Sequence, residues 1–277
     1  MSGISIQTNV ASMGAQRALG TSQTNMNQSL QRLSTGYRIN SASDDAAGLA
    51  ISENLRADVR SLNQAQRNAN DGLSVVNVAE GAMNEVGNIL VRMRELSVQA
   101  SSDSVGDTER GYINEEFSQL KSEIGRISTV AEYNGTKLLD GSISATGLEF
   151  QIGIDNSSDN RATVMVADVG QTGLGINSAS VSSQSNAQTA MTTVDAAINT
   201  LSTQRAKLGA YANRLQSSVN NLSVSAENLT AANSRIRDVD VASETADFAR
   251  NQVLVQAGVS MLAQANSAPM SALRLLG

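Results

Sequence analysis

The chain contains no cysteine and no histidine. Without cysteine there is neither a disulfide framework nor a thiolate nucleophile. The lack suits a cytosolic protein and equally an extracellular one that does without disulfides. Without histidine the usual general base and commonest zinc ligand are missing, which removes Ser-His-Asp, Cys-His and HExxH chemistry together. Only carboxylate or lysine chemistry stays formally open. Aromatic residues make up 3% of 277 residues, with no tryptophan. A core of this size must then be built from Leu, Ile, Val, Met and Ala, as in helix bundles.

Charge is also sparse where it matters. The net charge is −6 and the pI about 4.8, which argues against nucleic acid as a partner. Residues 1–43 hold Arg17, Arg32 and Arg38 but no acid, and residues 251–273 hold no charged side chain. The uncharged stretch is not a membrane span, because Asn251, Gln252, Gln256, Gln264, Asn266 and several serines interrupt it and it breaks at Pro269. The beginning of the chain has no basic segment followed by an apolar run, so no cleaved secretory signal is expected there.

What the sequence does have is heptads. Val194, Leu201, Leu208, Leu215, Leu222, Leu229 and Ile236 recur every seventh residue. Six unbroken heptads predict one helix of about 63 Å. A helix that long needs partners of similar length, from its own chain or from other copies. A second helix, about 45–99, carries the row Leu55, Leu62, Ala69, Val76, Met83 and Leu90. A further row, Val75, Ala82, Ile89 and Leu96, lies on its latter half. Two apolar rows imply contact with more than one helix, hence a bundle. Gly72, Gly81 and Gly87 weaken this helix by roughly 1 kcal/mol each.

A turn at 101–107 leads to a third helix, with Asp107 or Thr108 as N-cap and Ile113, Phe117, Leu120, Ile124 and Ile127 on one face. Asn134-Gly135 and Asp140-Gly141 are turn dipeptides. Leu148, Phe150, Ile152 and Ile154 alternate with period two before a polar NSSDN, and Thr163-Val164-Met165-Val166 follows, which reads as a β-hairpin. Residues 170–188 are rich in Ser, Asn and Gly and read as loop.

Both ends carry low-charge helices. Leu19, Met26 and Leu33 lie seven apart near the start, with Leu30 and Tyr37 beside them. Val241, Phe248, Val255 and Leu262 lie seven apart near the end, with Leu254 and Met261 beside them. The adjacent Asp44-Asp45 could pose as a catalytic carboxylate pair, but neighbours on a helix do not face one substrate. They read instead as acids at a helix start. No catalytic residue, metal ligand or cofactor is expected.

Several stretches resemble one family. QSLQRLSTGYRINSAS (28–43), DDAAGLAIS (44–52), QAQRNANDGLSVV (64–76), VRMRELSVQA (91–100), EYNGTKLLDG (132–141), SRIRDVDVASET (234–245), VLVQAGVSMLAQAN (253–266) and a final LRLLG are similar to bacterial flagellin, in the same order. The resemblance covers 1–141 and 191–277, without the large surface domains that longer flagellins insert between.

The resemblance implies a mainly α fold: an elongated antiparallel helical bundle or coiled coil with a small central β-hairpin and paired N- and C-terminal helices. It implies an inner coiled-coil domain from 1–43 and 236–277, and an outer helical bundle over 44–235 with its hairpin at about 142–169. The function implied is that of an exported structural subunit, polymerising into the filament used for swimming. The polymerising arms would carry Leu19, Met26, Leu30, Leu33, Val241, Phe248, Val255, Val259 and Leu262. The bundle core would hold Leu55, Leu62, Val76, Met83, Leu90, Phe117, Leu120, Leu201, Leu208, Leu215, Leu222 and Leu229.

The partners implied are further copies of the chain, an export chaperone on the C-terminal arm, and the filament cap and hook–filament junction proteins. Type III export would place the protein outside the cell. Arg92, Leu96 and Glu116 align with the surface that vertebrate Toll-like receptor 5 recognises. Two other readings remain open on the residues alone: a hook–filament junction protein, and a signalling coiled-coil hairpin. The central β alternation opposes the second.

Overall fold

The computed structural model describes residues 8–276, with side chains over 8–268. Five helices dominate: α1 (Val10–Thr35), α2 (Ala46–Ala100), α3 (Asp107–Val130), α4 (Gln184–Arg237) and α5 (Val241–Leu276). Between α3 and α4 lie β1 (Glu132–Tyr133), β2 (Thr136–Lys137), β3 (Leu148–Gln151) and β4 (Arg161–Val164). The chain forms two compact units, one from residues up to Ala57 and from Asn228 on, the other from Asp58 to Glu227. Both changes of unit fall inside a helix, α2 and α4, rather than at 43/44 and 235/236.

In the Asp58–Glu227 unit the heptad rows become the core. Leu62, Val76, Met83, Leu90, Phe117, Leu201, Leu208, Leu215 and Leu222 are buried, and Leu120 is half-buried against them. Leu55 and Leu229 are the exceptions to the expected core. They are half-buried and belong to the other unit, because the rows run on along α2 and α4 past the limit of this one. Of the second row on α2, Val75 and Leu96 are buried while Ala82 and Ile89 are half-buried against the core, and the adjoining Ala79, Val86 and Met93 are fully enclosed.

Ion pairs set the direction of packing. Arg205 meets Glu80 at 2.6 Å and Arg94 meets Asp195 at 2.5 Å, so α4 runs antiparallel to α2. Arg92 meets Glu116 at 2.8 Å, and Arg110 near the start of α3 reaches the end of α2, so α3 also folds back on it. Gly72 earns its place: a side chain there would press on Leu215 and the Phe150 ring, each at 3.2 Å.

The turn between α2 and α3 is built on a buried arginine. Arg110 donates from Nε to the Ala100 carbonyl at 2.9 Å and from Nη2 to the Ser102 carbonyl at 2.9 Å. Its Nη1 meets Asp107 at 2.8 Å. These bonds satisfy carbonyls that the end of a helix leaves free. Asp107 is the first residue of α3, and its N-cap is Gly106, with no side-chain cap bond. The expected capping role of Asp107 or Thr108 is therefore replaced by the Asp107–Arg110 pair.

Asn134 and Gly135 have φ of 48° and 79°, the two positive values of a type I′ turn, which joins β1 and β2 as a tight hairpin. Only the first half of the alternating segment forms β3, antiparallel to β4 with Leu148 opposite Val164, while Ile152 and Ile154 lie beyond the strand and Ile154 is exposed. The stretch 170–183 has no long regular element, yet Leu174, Ile176, Ala179 and Val181 are buried in the core. Lys121 Nζ pins it by donating to the Asn177 and Ala179 carbonyls at 3.0 and 3.1 Å.

Candidate functional site

The other unit contains the terminal helices. Each helix end is made locally. The Asn9 side chain caps α1, accepting from the Ser12 amide at 2.9 Å. Gly36 closes α1 at φ 75°, where a Cβ would be strained. Asp45 caps α2 by accepting from the Gly48 amide at 2.8 Å. Asp44 accepts from the Ser41 and Asn40 amides at 2.9 and 3.1 Å and from the Ser41 hydroxyl. Those bonds, the Ser41 amide foremost, hold its carboxyl below the usual value. The carboxylate pair is thus occupied in building a turn and a helix start, and is not a catalytic dyad.

α1 and α5 pack antiparallel. On α1 the residues turned to the partner are Ser12, Ala15, Leu19, Ser22, Met26, Ser29 and Leu33. On α5 they are Glu244, Phe248, Asn251, Val255, Gly258, Leu262 and Ala265. Both sets step by three and four, the spacing of a coiled-coil seam. Asn9 donates to the Ala265 carbonyl at 2.7 Å, and the Ser12 hydroxyl donates to Asn266 at 2.7 Å. A Cβ on Gly258 would lie 3.1 Å from Leu19, so the glycine lets the helices approach there. At the other end of the seam Arg32 faces Glu244 at 3.6 Å. Half of this seam is small or polar, so the pair buries little apolar surface of its own.

The apolar residues outside the seam are exposed. They include Val10, Met13 and Leu30 on α1, and Val241, Val253, Leu254, Val259 and Met261 on α5. Leu254, Ala257 and Met261 line a depression of about 460 Å³, whose other wall is Ala11, Gly14 and Ala18 of α1. A monomer gains nothing from apolar surface left in water; contiguous patches of it mark interaction surfaces.

A short ladder joins the ends of α1 and α4. Tyr37 bridges antiparallel to Asp238. The Arg38 amide donates to the Arg237 carbonyl at 2.7 Å, and the Val239 amide to the Gly36 carbonyl at 3.0 Å. Arg237 sits 4.7 Å from the centre of the Tyr37 ring and donates to Glu53 at 2.5 Å.

Of the expected arm residues, Leu19, Met26, Leu33, Phe248, Val255 and Leu262 lie half-buried in the seam, while Leu30, Val241 and Val259 face solvent. Val10, Met13 and Val253 extend the exposed apolar set; they fall between heptad positions, where periodicity gives no signal. The run past Pro269 also differs from expectation. α5 continues to Leu276, so the proline removes one backbone donor without ending the helix. The expected receptor surface is corrected at one position. Leu96 is 1% exposed, enclosed by the second apolar row of α2, whereas Arg92 and Glu116 are exposed and paired with each other. Among the described residues no cluster of acids, histidines or cysteines could hold a metal ion. None of the described helices is long and apolar enough to cross a membrane.

Comparison with known proteins agrees with this layout. The profile of the bacterial flagellin N-terminal helical region matches residues 6–144, and that of the C-terminal helical region matches 191–276. The chain is 43% identical to the flagellar filament 33 kDa core protein of Treponema phagedenis, over 98% of this chain and 99% of that one. It is 43% identical to flagellin of Bacillus subtilis, again over 98% and 99%. Among solved structures, Bacillus cereus flagellin superposes with a TM-score of 0.50 at 30% identity, covering 60% of this chain and 94% of that one.

Proposed function

Because the chain belongs to the bacterial flagellin family, and is thus a self-assembling structural subunit of the flagellar filament and no enzyme, we propose that its α1–α5 pair is the polymerising surface. The observation that carries this is the exposed apolar set outside a weak seam, on helices with no charged side chain from 251 to 273. Neighbouring copies would cover that set. Contacts between unlike faces do not close, so they propagate into a helical polymer. Burial at about 25 cal/mol per Å² drives assembly, and the ordering of a marginal helix pair opposes it. A chain trimmed to 44–235 should keep the folded bundle and fail to form filaments. Normal polymerisation by that fragment would sink the assignment.

The same surface needs cover before assembly. We infer that an export chaperone binds 236–277 in the cell, that export follows the type III route, and that the protein works outside the cell. The cap and hook–filament junction proteins would bind at the filament's two ends. Gln256 and Gln264 would help keep a channel wall wet without fixed charge. Lysines at both positions with unchanged export and growth would count against that role. Recognition by Toll-like receptor 5 would involve the exposed Arg92–Glu116 pair. Weak binding of the monomer to the receptor ectodomain would dismiss it.

A further inference from the structure

Among the residues whose side chains are described, three methionines are exposed, Met13, Met165 (43%) and Met261, and of these only Met13 and Met261 stand on the α1–α5 pair. Met13 on α1 is 55% exposed and Met261 on α5 is 66% exposed. Met83 and Met93 are fully enclosed in the other unit, and Met26 is half-buried in the α1–α5 seam. Met261 lines the depression described above, and Met13 lines a second one; the two adjoin, sharing Gly14 and Ala18. Both thioethers are therefore open to solvent in the free subunit and stand on the surface assigned to assembly.

We propose that Met13 and Met261 are an oxidation-sensitive site through which peroxide-class oxidants block filament assembly, an inference that rests on the α1–α5 pair being the polymerising surface. The methionine sulfur attacks one oxygen of hydrogen peroxide. An S–O bond forms as the O–O bond breaks, sulfur loses two electrons, and the second oxygen leaves as water. The product sulfoxide is polar where the thioether was apolar.

In the free subunit its oxygen stays hydrated, so folding is little affected. In the polymer that oxygen would be covered. The depression that Met261 lines is walled almost wholly by Ala, Gly and Leu, and the Ser22 hydroxyl is the one side-chain donor among its lining residues. A buried acceptor without a donor opposes burial. Arg17 is the one charged side chain lining either depression, on the Met13 side, so Met261 carries the larger effect. Assembly in turn shields both sulfurs, so filaments resist an oxidant that disables free subunits.

The test uses the full chain. Free subunits are titrated with hydrogen peroxide, conversion at each methionine is read by peptide mass spectrometry, and the critical concentration is read from seeded polymerisation. Conversion at Met13 and Met261 should raise the critical concentration by about tenfold per sulfoxide, with the melting curve unchanged. Each variant is compared with its own untreated sample. Met13→Leu/Met261→Leu should keep its untreated value after peroxide, whereas Met165→Leu should lose assembly as the parent does. Polymerisation of the doubly oxidised parent at its untreated critical concentration overturns the inference, as does equal loss in the double variant. Peroxide applied to filaments separates the two levels. Equal reactivity of Met13 and Met261 in filament and free subunit rejects the surface assignment itself. Protection together with normal polymerisation of oxidised subunits leaves that assignment standing and rejects only the oxidation site.

Discussion

Leu254→Ser isolates the assembly surface from the fold. Leu254 lies outside the α1–α5 seam and is 47% exposed in the subunit. Full burial of a leucine side chain is worth about 1.5–3 kcal/mol. The exposed half that neighbouring copies would cover is then worth about 0.7–1.4 kcal/mol. The subunit itself loses little, since exposed substitutions away from special features stay within about 0.5 kcal/mol. For a polymer growing by subunit addition, the per-subunit loss appears directly in the critical concentration. The expected rise is about three- to tenfold. Seeded growth followed by sedimentation gives the critical concentration, and circular dichroism on the free subunit gives helix content and melting. An unchanged critical concentration with unchanged helix content would refute the reasoning. A rise accompanied by an equal loss of subunit stability would show that Leu254 serves the fold instead.

Leu208→Ala acts on the other unit: Leu208 is fully enclosed, so the cavity should cost about 2–5 kcal/mol, read as a lower urea midpoint. Arg110→Met removes the side-chain donor of the Ala100 carbonyl and leaves Ser102 only the Val105 amide at 3.3 Å, which should cost about 1–3 kcal/mol. Limited proteolysis should then cut first within 101–106. Asp44 gives a pH dependence with a defined sign. Its carboxyl is held below the usual 3.8 by the Ser41 and Asn40 bonds. Its contribution is therefore fully present above the ordinary carboxyl range and is lost as pH falls through the depressed folded value. Acid unfolding of Asp44→Asn, followed by circular dichroism, should be less steep below pH 3.8 than that of the parent; superimposable curves would contradict the role of those bonds.

The long helices were legible because each buries a stripe at fixed spacing. Val194 to Ile236 do lie on one helix, and the glycine under Phe150 is tolerated because packing replaces what propensity loses. The tight Asn134-Gly135 hairpin follows from its turn chemistry. The limit between the two units was not legible. It falls within continuous helices, where no glycine, proline or charge change marks it. Nor did composition reveal that Ile176 and Val181 are core, since a polar stretch can bury isolated apolar side chains. Leu96 shows how two kinds of signal conflict. Periodicity placed it in an apolar row, similarity placed it on a surface, and packing follows the periodicity. The assembly surface was half legible: heptads found the seam, while Met13 and Val253 lie between heptad positions and emerged only from their exposure.

Hydrogen exchange by mass spectrometry, on free subunits and on filaments of the same protein, tests the polymerising role of the terminal pair most directly. Amides of α1 and α5 should exchange readily in the free subunit, because their seam is weak, and should become strongly protected in the filament. The Leu62–Leu222 core should change little. Protection of α1 and α5 that is already complete in the free subunit, or that fails to rise on polymerisation, would contradict the account.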